Sequence, residues 1–242
     1  MRFAVISDIH GNLPAFEAVV EDLRKQDPDG VVCLGDVSFN GLYPQESFDL
    51  LMSLYPFCAV KGNTDANFEE LSDFVPTNDF ERSLYDMIVY GDVRLSAGAK
   101  SAMKSWPIAV EREIEGRKLL FCHGSPWRFK DHFSPKNPDF PELFEEQTKA
   151  LGVNAIFCGH THGRETFQIG DTLVVNVGAI GYSFDGDPRP SYGMVDVEHG
   201  EISCDLRRVA YDFGRYREEI LESKLFGSLD YIIAYATYPP RG

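Results

Sequence analysis

Short apolar runs alternate with amphipathic segments over the first sixty residues. Residues 2–6, 31–34 and 57–60 are apolar runs of strand length. Between them, apolar residues recur at helical spacing behind Pro14 and again behind Pro44, and proline fits the first turn of a helix. Strands that alternate with helices predict a parallel sheet with right-handed crossovers.

The remaining pattern is more mixed. Residues 66–105 have mostly helical spacing, and residues 125–141 contain four prolines and are expected to be irregular. The other predicted elements are two strands in 110–122 joined around Glu115-Gly116, strands at 155–158, 165–169, 173–177, 191–197 and 202–209, and helices at 143–151 and 212–224.

This order predicts an α/β protein in which two mixed sheets pack face to face, with helices on both outer sides. The chain has 242 residues, and we expect a single domain over residues 1–242. The apolar and aromatic segment 231–238 has no predicted role.

Metal-binding side chains stand directly behind the strand-like runs. They are Asp8 and His10, then Asp36, Asn63 and His123, then His160 and His162. The carboxyl ends of buried strands meet at one crevice, where open α/β sheets bind ligands. We therefore expect these seven side chains to converge on one site.

The number and type of these side chains favour two metal ions. Residues i and i+2 of a strand point the same way, so Asp8 with His10, and His160 with His162, would face one ion if the strands continue that far. One ion does not normally take seven protein ligands, so two ions sharing Asp36 explain the set better. Mixed oxygen and imidazole ligands favour manganese, with iron, zinc, cobalt or nickel as alternatives, over calcium.

Each cluster has a simpler interpretation when it is taken alone. Asp8 fits a helix cap, Asp36 and residues 62–65 fit turns, and His123 fits a buried core histidine. His160 and His162 are harder to explain by packing. The metal interpretation rests on the joint pattern.

These motifs resemble those of the calcineurin-like metallophosphoesterase superfamily. They are, in that family's order, Asp8-Ile9-His10-Gly11-Asn12, Gly35-Asp36, Gly62-Asn63-Thr64-Asp65, His123-Gly124 and Gly159-His160-Thr161-His162. Residues 176–179 and 186–192 also resemble the small bacterial and archaeal members. The resemblance implies a four-layer αββα sandwich that transfers a phosphoester to water.

The resemblance also implies roles by position. One ion would be held by Asp8, His10, Asp36 and His162, and the other by Asp36, Asn63, His123 and His160. The expected nucleophile is a hydroxide that bridges the ions, since metal binding brings the pKa of water down to about 7. Asn63 would hold phosphoryl oxygens, with Asp36 and His123 completing the catalytic set.

Two further residues and one loop are candidates for substrate contacts. Asn12 stands close to Asp8 in the sequence, with a helix cap as the alternative. Arg189 would clamp a phosphate through paired hydrogen bonds, with an exposed turn arginine as the alternative. Residues 126–141, which include Trp127, either overhang the crevice and select the leaving group or bury their own aromatic side chains.

Thr64 stands where many members of that family have a His that assists the leaving group. General acid assistance contributes about 10² to 10⁴ in rate. We therefore expect good leaving groups to be preferred, or another proton donor to act. Asp65 and His132 are candidate donors, with turn or surface placement as alternatives. The small members often lack that His as well, so an active site is still expected.

The charge and the cysteine content limit the classes of partner and the cellular location that we expect. The net charge of −15 argues against duplex nucleic acid and membrane surfaces as main partners. Distant exposed charges are screened beyond about 8 Å, so two cations in the site can still attract a phosphate. The five cysteines lie in apolar runs without a CxxC motif, which predicts buried, reduced thiols. With no apolar stretch of about 20 residues, a cytoplasmic location is expected.

The expected function is a metal-dependent phosphodiesterase or phosphatase that acts on a small-molecule or nucleotide phosphoester. A phosphoprotein phosphatase and a catalytically silent scaffold are the alternatives, and the complete ligand set argues against the scaffold. A dinucleotide-binding module is excluded because no GxGxxG follows the first strand. The oligomeric state is left open.

Overall fold

The chain begins with the predicted alternation of strands and helices in the computed structural model, which describes residues 1–66 and 75–223. The elements of this first part are β1 (Arg2–Ile6), α1 (Leu13–Gln26), β2 (Gly30–Cys33), α2 (Pro44–Ser53) and β3 (Cys58–Ala59). Then come α3 (Asp79–Arg94), α4 (Ala97–Ser105), β4 (Ala109–Ile114), β5 (Arg117–Cys122), a π-helical turn (Pro141–Glu145), α5 (Glu146–Leu151), β6 (Ala155–Cys158), β7 (Arg164–Ile169), β8 (Thr172–Val177), β9 (Ser191–Glu198), β10 (Glu201–Arg208) and α6 (Phe213–Ser223).

The strands form two mixed sheets, as predicted. In the first sheet, with order β10-β9-β1-β2-β3, the strands β1, β2 and β3 are parallel. In the second, with order β4-β5-β6-β8-β7, the strands β5, β6 and β8 are parallel. The predicted ligands all follow the carboxyl ends of parallel strands in these two sheets.

Both faces of the first sheet are buried, because alternate residues of a strand point to opposite sides. Phe3 and Val5 of β1 face the second sheet, where Phe3 meets Phe121 and Phe157 edge to face at 6.0 and 6.3 Å. Ala4 and Ile6 face α1, α2 and α4. Phe144 of the π-helical turn, with Phe133 and Phe140 of the loop before it, covers the outer face of the second sheet. The result is the layered α/β sandwich that was predicted.

Two predicted elements differ in detail. The described part of the helical segment 66–105 contains two helices, separated at Leu95-Ser96, where the Ser96 side chain accepts from the Ala99 N–H and caps α4. The predicted helix 143–151 begins as the π-helical turn, with Pro141 in its first position. Residues 67–74 and the segment 231–238 lie outside the described residues.

None of the described helices is both long and apolar enough to cross a membrane. The five cysteines are free thiols, as predicted, and four of them are buried in the apolar layers.

Candidate metal centre

Left-handed turns direct the predicted ligands into the site. The φ angles are 54° at Asp8, 50° at His10, 55° at Asp36, 66° at His160 and 58° at His162. Residues other than glycine adopt this conformation at a cost, which the surrounding structure must offset. The expectation that strand geometry continues through each ligand pair is therefore wrong, since β1 ends at Ile6 and β6 at Cys158.

The side chains nevertheless converge. The Asp36 Oδ2 atom lies 3.6 Å from His10 Nε2 and 3.4 Å from His123 Nε2. Asp8 Oδ1 lies 3.3 Å from His162 Nε2 and 3.8 Å from His123 Nε2. The ligand atoms form two groups, each within 4.8 Å, namely Asp8 with His10 and His162, and Asp8 with Asp36 and His123.

The remaining two predicted ligands border the same space. The Asn63 Oδ1 atom lies 3.1 Å from His123 Nε2. The ring of His160 lies 5.1 Å from that of His123, and both Asn63 and His160 line the cavity. The structure thus brings together all seven side chains that the sequence suggested as ligands.

Three of the histidines are oriented for metal binding. The Nδ1 atoms of His10, His123 and His162 face the backbone carbonyls of Phe39 at 3.0 Å, of Leu34 at 2.8 Å and of Tyr182. Donation of the Nδ1–H to a carbonyl fixes the tautomer and leaves the Nε2 lone pair for a metal. All three Nε2 atoms point to the carboxylates.

The donor set fits metal ions. Asp8 is fully buried, yet its Oδ1 atom has no hydrogen bond to any described residue, and a buried oxygen of this kind needs a partner. The Nε2 atoms of His10 and His162 face each other at 3.1 Å. Two atoms bound to one ion at about 2.1 Å are roughly 3 to 3.4 Å apart, so a shared cation accounts for this approach.

In the absence of metal, the carboxylates and histidines of the site shift the pKa values of one another. Burial raises the pKa of Asp36, but the positive charges of His123 and His10 outweigh burial and lower it to about 2. Burial lowers the pKa of His123, but the charges of Asp36 and Asp8 raise it to about 10. Burial and the charge of His123 lower the pKa of His160 to about 4. The carboxylates are therefore ionised at neutral pH, which suits cations.

Glycine is required where the ligand loops touch each other. A Cβ atom on Gly159 would lie 2.0 Å from Ser7 Oγ and 2.6 Å from Asp8 Oδ2. A Cβ on Gly62 would lie 2.1 Å from Asp36 Oδ1. Both loops therefore need a residue without a side chain next to the carboxylates.

Asp65 holds two ligand loops together. Its Oδ2 atom accepts from the N–H groups of Asp36 at 2.8 Å and Gly62 at 2.9 Å, and its Oδ1 atom accepts from Val37 at 3.1 Å. In return, Asp36 Oδ1 accepts from the Thr64 N–H at 2.8 Å. Burial and the charge of Asp36 raise the pKa of Asp65 to about 6. With both oxygens directed at backbone, Asp65 positions Asp36 and does not face a leaving group.

Asp65→Asn is expected to weaken manganese binding about 10- to 100-fold, because residues that orient metal ligands have effects of this size. An amide has one acceptor oxygen, so a backbone N–H that Asp65 now satisfies would face an NH₂ group. Calorimetric titration of metal-free protein with manganese measures the change. Asp22→Asn is the matched control, since Asp22 accepts from Tyr192 and Arg207 and is not among the residues lining the cavity. Equal manganese affinity in both variants would contradict the role.

The structure does not bring Asn12 and Arg189 to the cavity. Asn12 is fully buried, accepts from the Ala15 N–H at 3.2 Å and caps α1, so the helix-cap alternative describes it. The Arg189 guanidinium pairs with Asp187, with an Nη2 to Oδ2 distance of 2.6 Å. Local partners satisfy both side chains, which corrects their assignment to substrate binding.

The proline-rich loop packs on itself. Trp127 stacks on Phe144 at 6.1 Å, and Phe133 meets Phe140 and Phe144 at 5.4 and 5.2 Å. No residue of 126–141 is among the described residues that line the cavity. The alternative in which this loop buries its own aromatics is therefore favoured, and His132, which is exposed on the same loop, is also not a cavity residue.

Other cavity residues were missed from the sequence. Besides the predicted ligands and Thr64, the lining includes Asn40, Met87, Tyr182 and Phe184. Phe184 follows the segment 176–179 that carries part of the family resemblance, but no pattern marks it as a cavity residue. Met87 belongs to the buried face of α3.

Comparison with known proteins supports the resemblance to calcineurin-like phosphoesterases. The calcineurin-like phosphoesterase superfamily domain matches residues 1–200. The uncharacterized protein MJ0912 of Methanocaldococcus jannaschii is 27% identical over 244 residues, covering 92% of this chain and 93% of that protein. Phosphodiesterase YfcE of Escherichia coli is 26% identical over 206 residues, covering 81% of this chain and 88% of that protein.

A solved structure shows the same fold. A metallophosphoesterase from Sphaerobacter thermophilus superposes with a TM-score of 0.74 at 23% identity, and 98% of each chain is covered. The two-sheet architecture and the domain match over residues 1–200 thus agree. The chain belongs to the calcineurin-like phosphoesterase superfamily and is a phosphoric ester hydrolase.

Proposed function

We propose that this protein hydrolyses phosphodiesters of small molecules with the help of two divalent ions. The ions would be held by Asp8, His10, Asp36, Asn63, His123, His160 and His162. The convergence of three histidine Nε2 atoms on two buried carboxylates carries the proposal. Family membership implies divalent metal ions, and the mixed carboxylate and imidazole donors favour manganese.

When bound, such ions lower the pKa of a water nucleophile and offset charge on phosphoryl oxygens. The chain's own groups prepare the site for this chemistry. Asp8 and Asp36 are held ionised by the histidines around them. With its Oδ1 directed towards the ligand set, Asn63 has an amide N–H group left to donate to a phosphoryl oxygen.

The charge of the cavity favours a diester. No Lys or Arg is among the described residues that line it. A monoester dianion or a polyphosphate would bring additional negative charge without a cationic side chain to pair with it. A diester carries a single negative charge and needs less such pairing.

The cavity also favours good leaving groups. Outside the predicted ligands, Tyr182 is the titratable side chain among the described lining residues. Burial raises its pKa far above the usual value, and its hydroxyl donates to the Asn40 carbonyl. Assistance by a general acid is therefore weak, in keeping with Thr64 at the position of the family His.

A substrate panel tests the proposal. With manganese added, bis-p-nitrophenyl phosphate is expected to have a kcat/KM at least about tenfold above that of p-nitrophenyl phosphate and of dinucleoside polyphosphates. A preference for the monoester would favour a phosphatase instead. No turnover of any of these by metal-loaded protein would favour the silent scaffold.

A further inference from the structure

One side of the cavity is formed by residues other than the predicted metal ligands. The cavity has a volume of about 160 Å³, and beyond the predicted ligands, Asn40 and Thr64, it is bordered by Met87, Tyr182 and Phe184. We call these three residues the apolar wall. Tyr182 and Phe184 belong to the loop between β8 and β9, and Met87 lies on α3.

Phe184 is the exposed member of the apolar wall. It is 44% exposed, whereas Met87 is 2% and Tyr182 is 8% exposed. Its ring stacks on that of His162, with centroids 4.3 Å apart and an interplanar angle of 10°. A large aromatic ring is thus open to solvent directly beside a predicted metal ligand, where a phosphoester would sit.

The apolar wall is fixed in place before any ligand binds. Ser183 Oγ, next to Phe184, donates to Asp185 Oδ1 at 2.7 Å. Arg208 of β10 donates to Ser183 Oγ at 3.1 Å and pairs with Asp185. Arg208 is itself largely buried, so both chain neighbours of Phe184 are anchored to the sheet. An aromatic surface that is already ordered binds a partner with little further loss of entropy.

The chemistry of the apolar wall indicates its ligand. Aromatic rings stack on flat, uncharged partners, and methionine adapts its shape to such groups. The described lining offers no Lys or Arg to a charged substituent. We propose that the apolar wall binds an uncharged aromatic substituent of the phosphodiester, stacked against Phe184. This inference rests on the proposed function and names the class of substrate, an aryl or nucleoside phosphodiester.

The affinities of two small phosphonates test the inference. Phenylphosphonate and methylphosphonate carry the same metal-binding group, but only the former can stack. Calorimetry on manganese-loaded protein is expected to show about tenfold tighter binding of phenylphosphonate, a ratio typical of one stacking contact. Phe184→Ala is expected to bring the two affinities together, and Phe184→Tyr to keep the difference. Equal affinities in the wild type, or a preference that survives in Phe184→Ala, would overturn the inference.

A control variant and two measurements test for a general loss of structure. Tyr55→Ala removes an exposed aromatic side chain that is not among the cavity residues, and it should keep the tenfold preference. Manganese content and thermal unfolding are recorded for every variant. Hydrolysis of bis-p-nitrophenyl phosphate, measured in parallel, separates the two proposals. Turnover without a phenyl preference overturns the apolar wall alone, whereas a phenyl preference that Phe184→Ala removes supports the apolar wall even if turnover is absent.

Discussion

Asp36→Asn is expected to lower the hydrolysis of bis-p-nitrophenyl phosphate by about 10³-fold, within the range found when one preorganised electrostatic group is removed. The carboxylate stands between His10 and His123, at 3.6 and 3.4 Å from their Nε2 atoms. Asparagine keeps the shape and an acceptor for the Thr64 N–H, but it carries no charge. It would also leave the two histidines without one of their counter-charges, so metal content should fall with activity.

The measurement is kcat/KM at saturating manganese, together with the metal content of the purified variant. Asp171→Asn is the charge-matched control, because Asp171 lies at the exposed turn between β7 and β8. Thr64→His, which introduces the family's usual residue, is expected to retain diester turnover. An Asp36→Asn variant with wild-type turnover would refute the assignment of Asp36 as a shared ligand.

Removal of metal is expected to abolish turnover and to lower the melting temperature. A ligand present at 100 times its Kd stabilises a folded protein by about 2.7 kcal/mol. For a chain of this size the melting temperature should therefore change by roughly 5 to 10 °C. Scanning calorimetry before and after chelation, followed by addition of manganese, measures both the loss and its reversal. Full activity in chelator would exclude a metal-dependent reaction.

The metal-free protein should remain folded, because the histidines compensate the buried carboxylates. The pKa of His123 is raised to about 10, so this ring is protonated at neutral pH in the absence of metal. A metal ion must displace that proton, since the bound imidazole is neutral. Metal affinity should therefore rise with pH as long as His123 is protonated, up to about pH 10. Calorimetric titration of the metal-free protein with manganese at two pH values below 10 checks whether the affinity rises with pH.

Much of the fold was predictable because burial imposes periodicity. The apolar spacing behind Pro14 matches the buried face of α1, which includes Phe16, Val19 and Leu23. The ends of the elements were less predictable. The π-helical turn at Pro141–Glu145 and the division between α3 and α4 depend on local hydrogen bonds, about which an apolar pattern says little.

Some features of the candidate site could be predicted from the sequence and others could not. The ligand loops were predictable since every one of them follows a buried strand. Their left-handed turns were not, because side-chain periodicity carries no information on the sign of φ. Asn12 and Arg189 were misassigned because a sequence does not reveal the nearest partner of a polar side chain. Met87 and Phe184 come from distant segments, so only the folded chain places them in one cavity.

The backbone carbonyls that orient the histidines have a consequence for how the protein matures in the cell. His10 and His123 depend on carbonyls of the loop after β2, at Phe39 and Leu34, whereas His162 depends on the carbonyl of Tyr182, much later in the chain. A ribosome-bound fragment that stops before Tyr182 lacks the last of these supports. Stable loading with metal should therefore follow the synthesis of the whole second sheet, whose last strand ends at Val177.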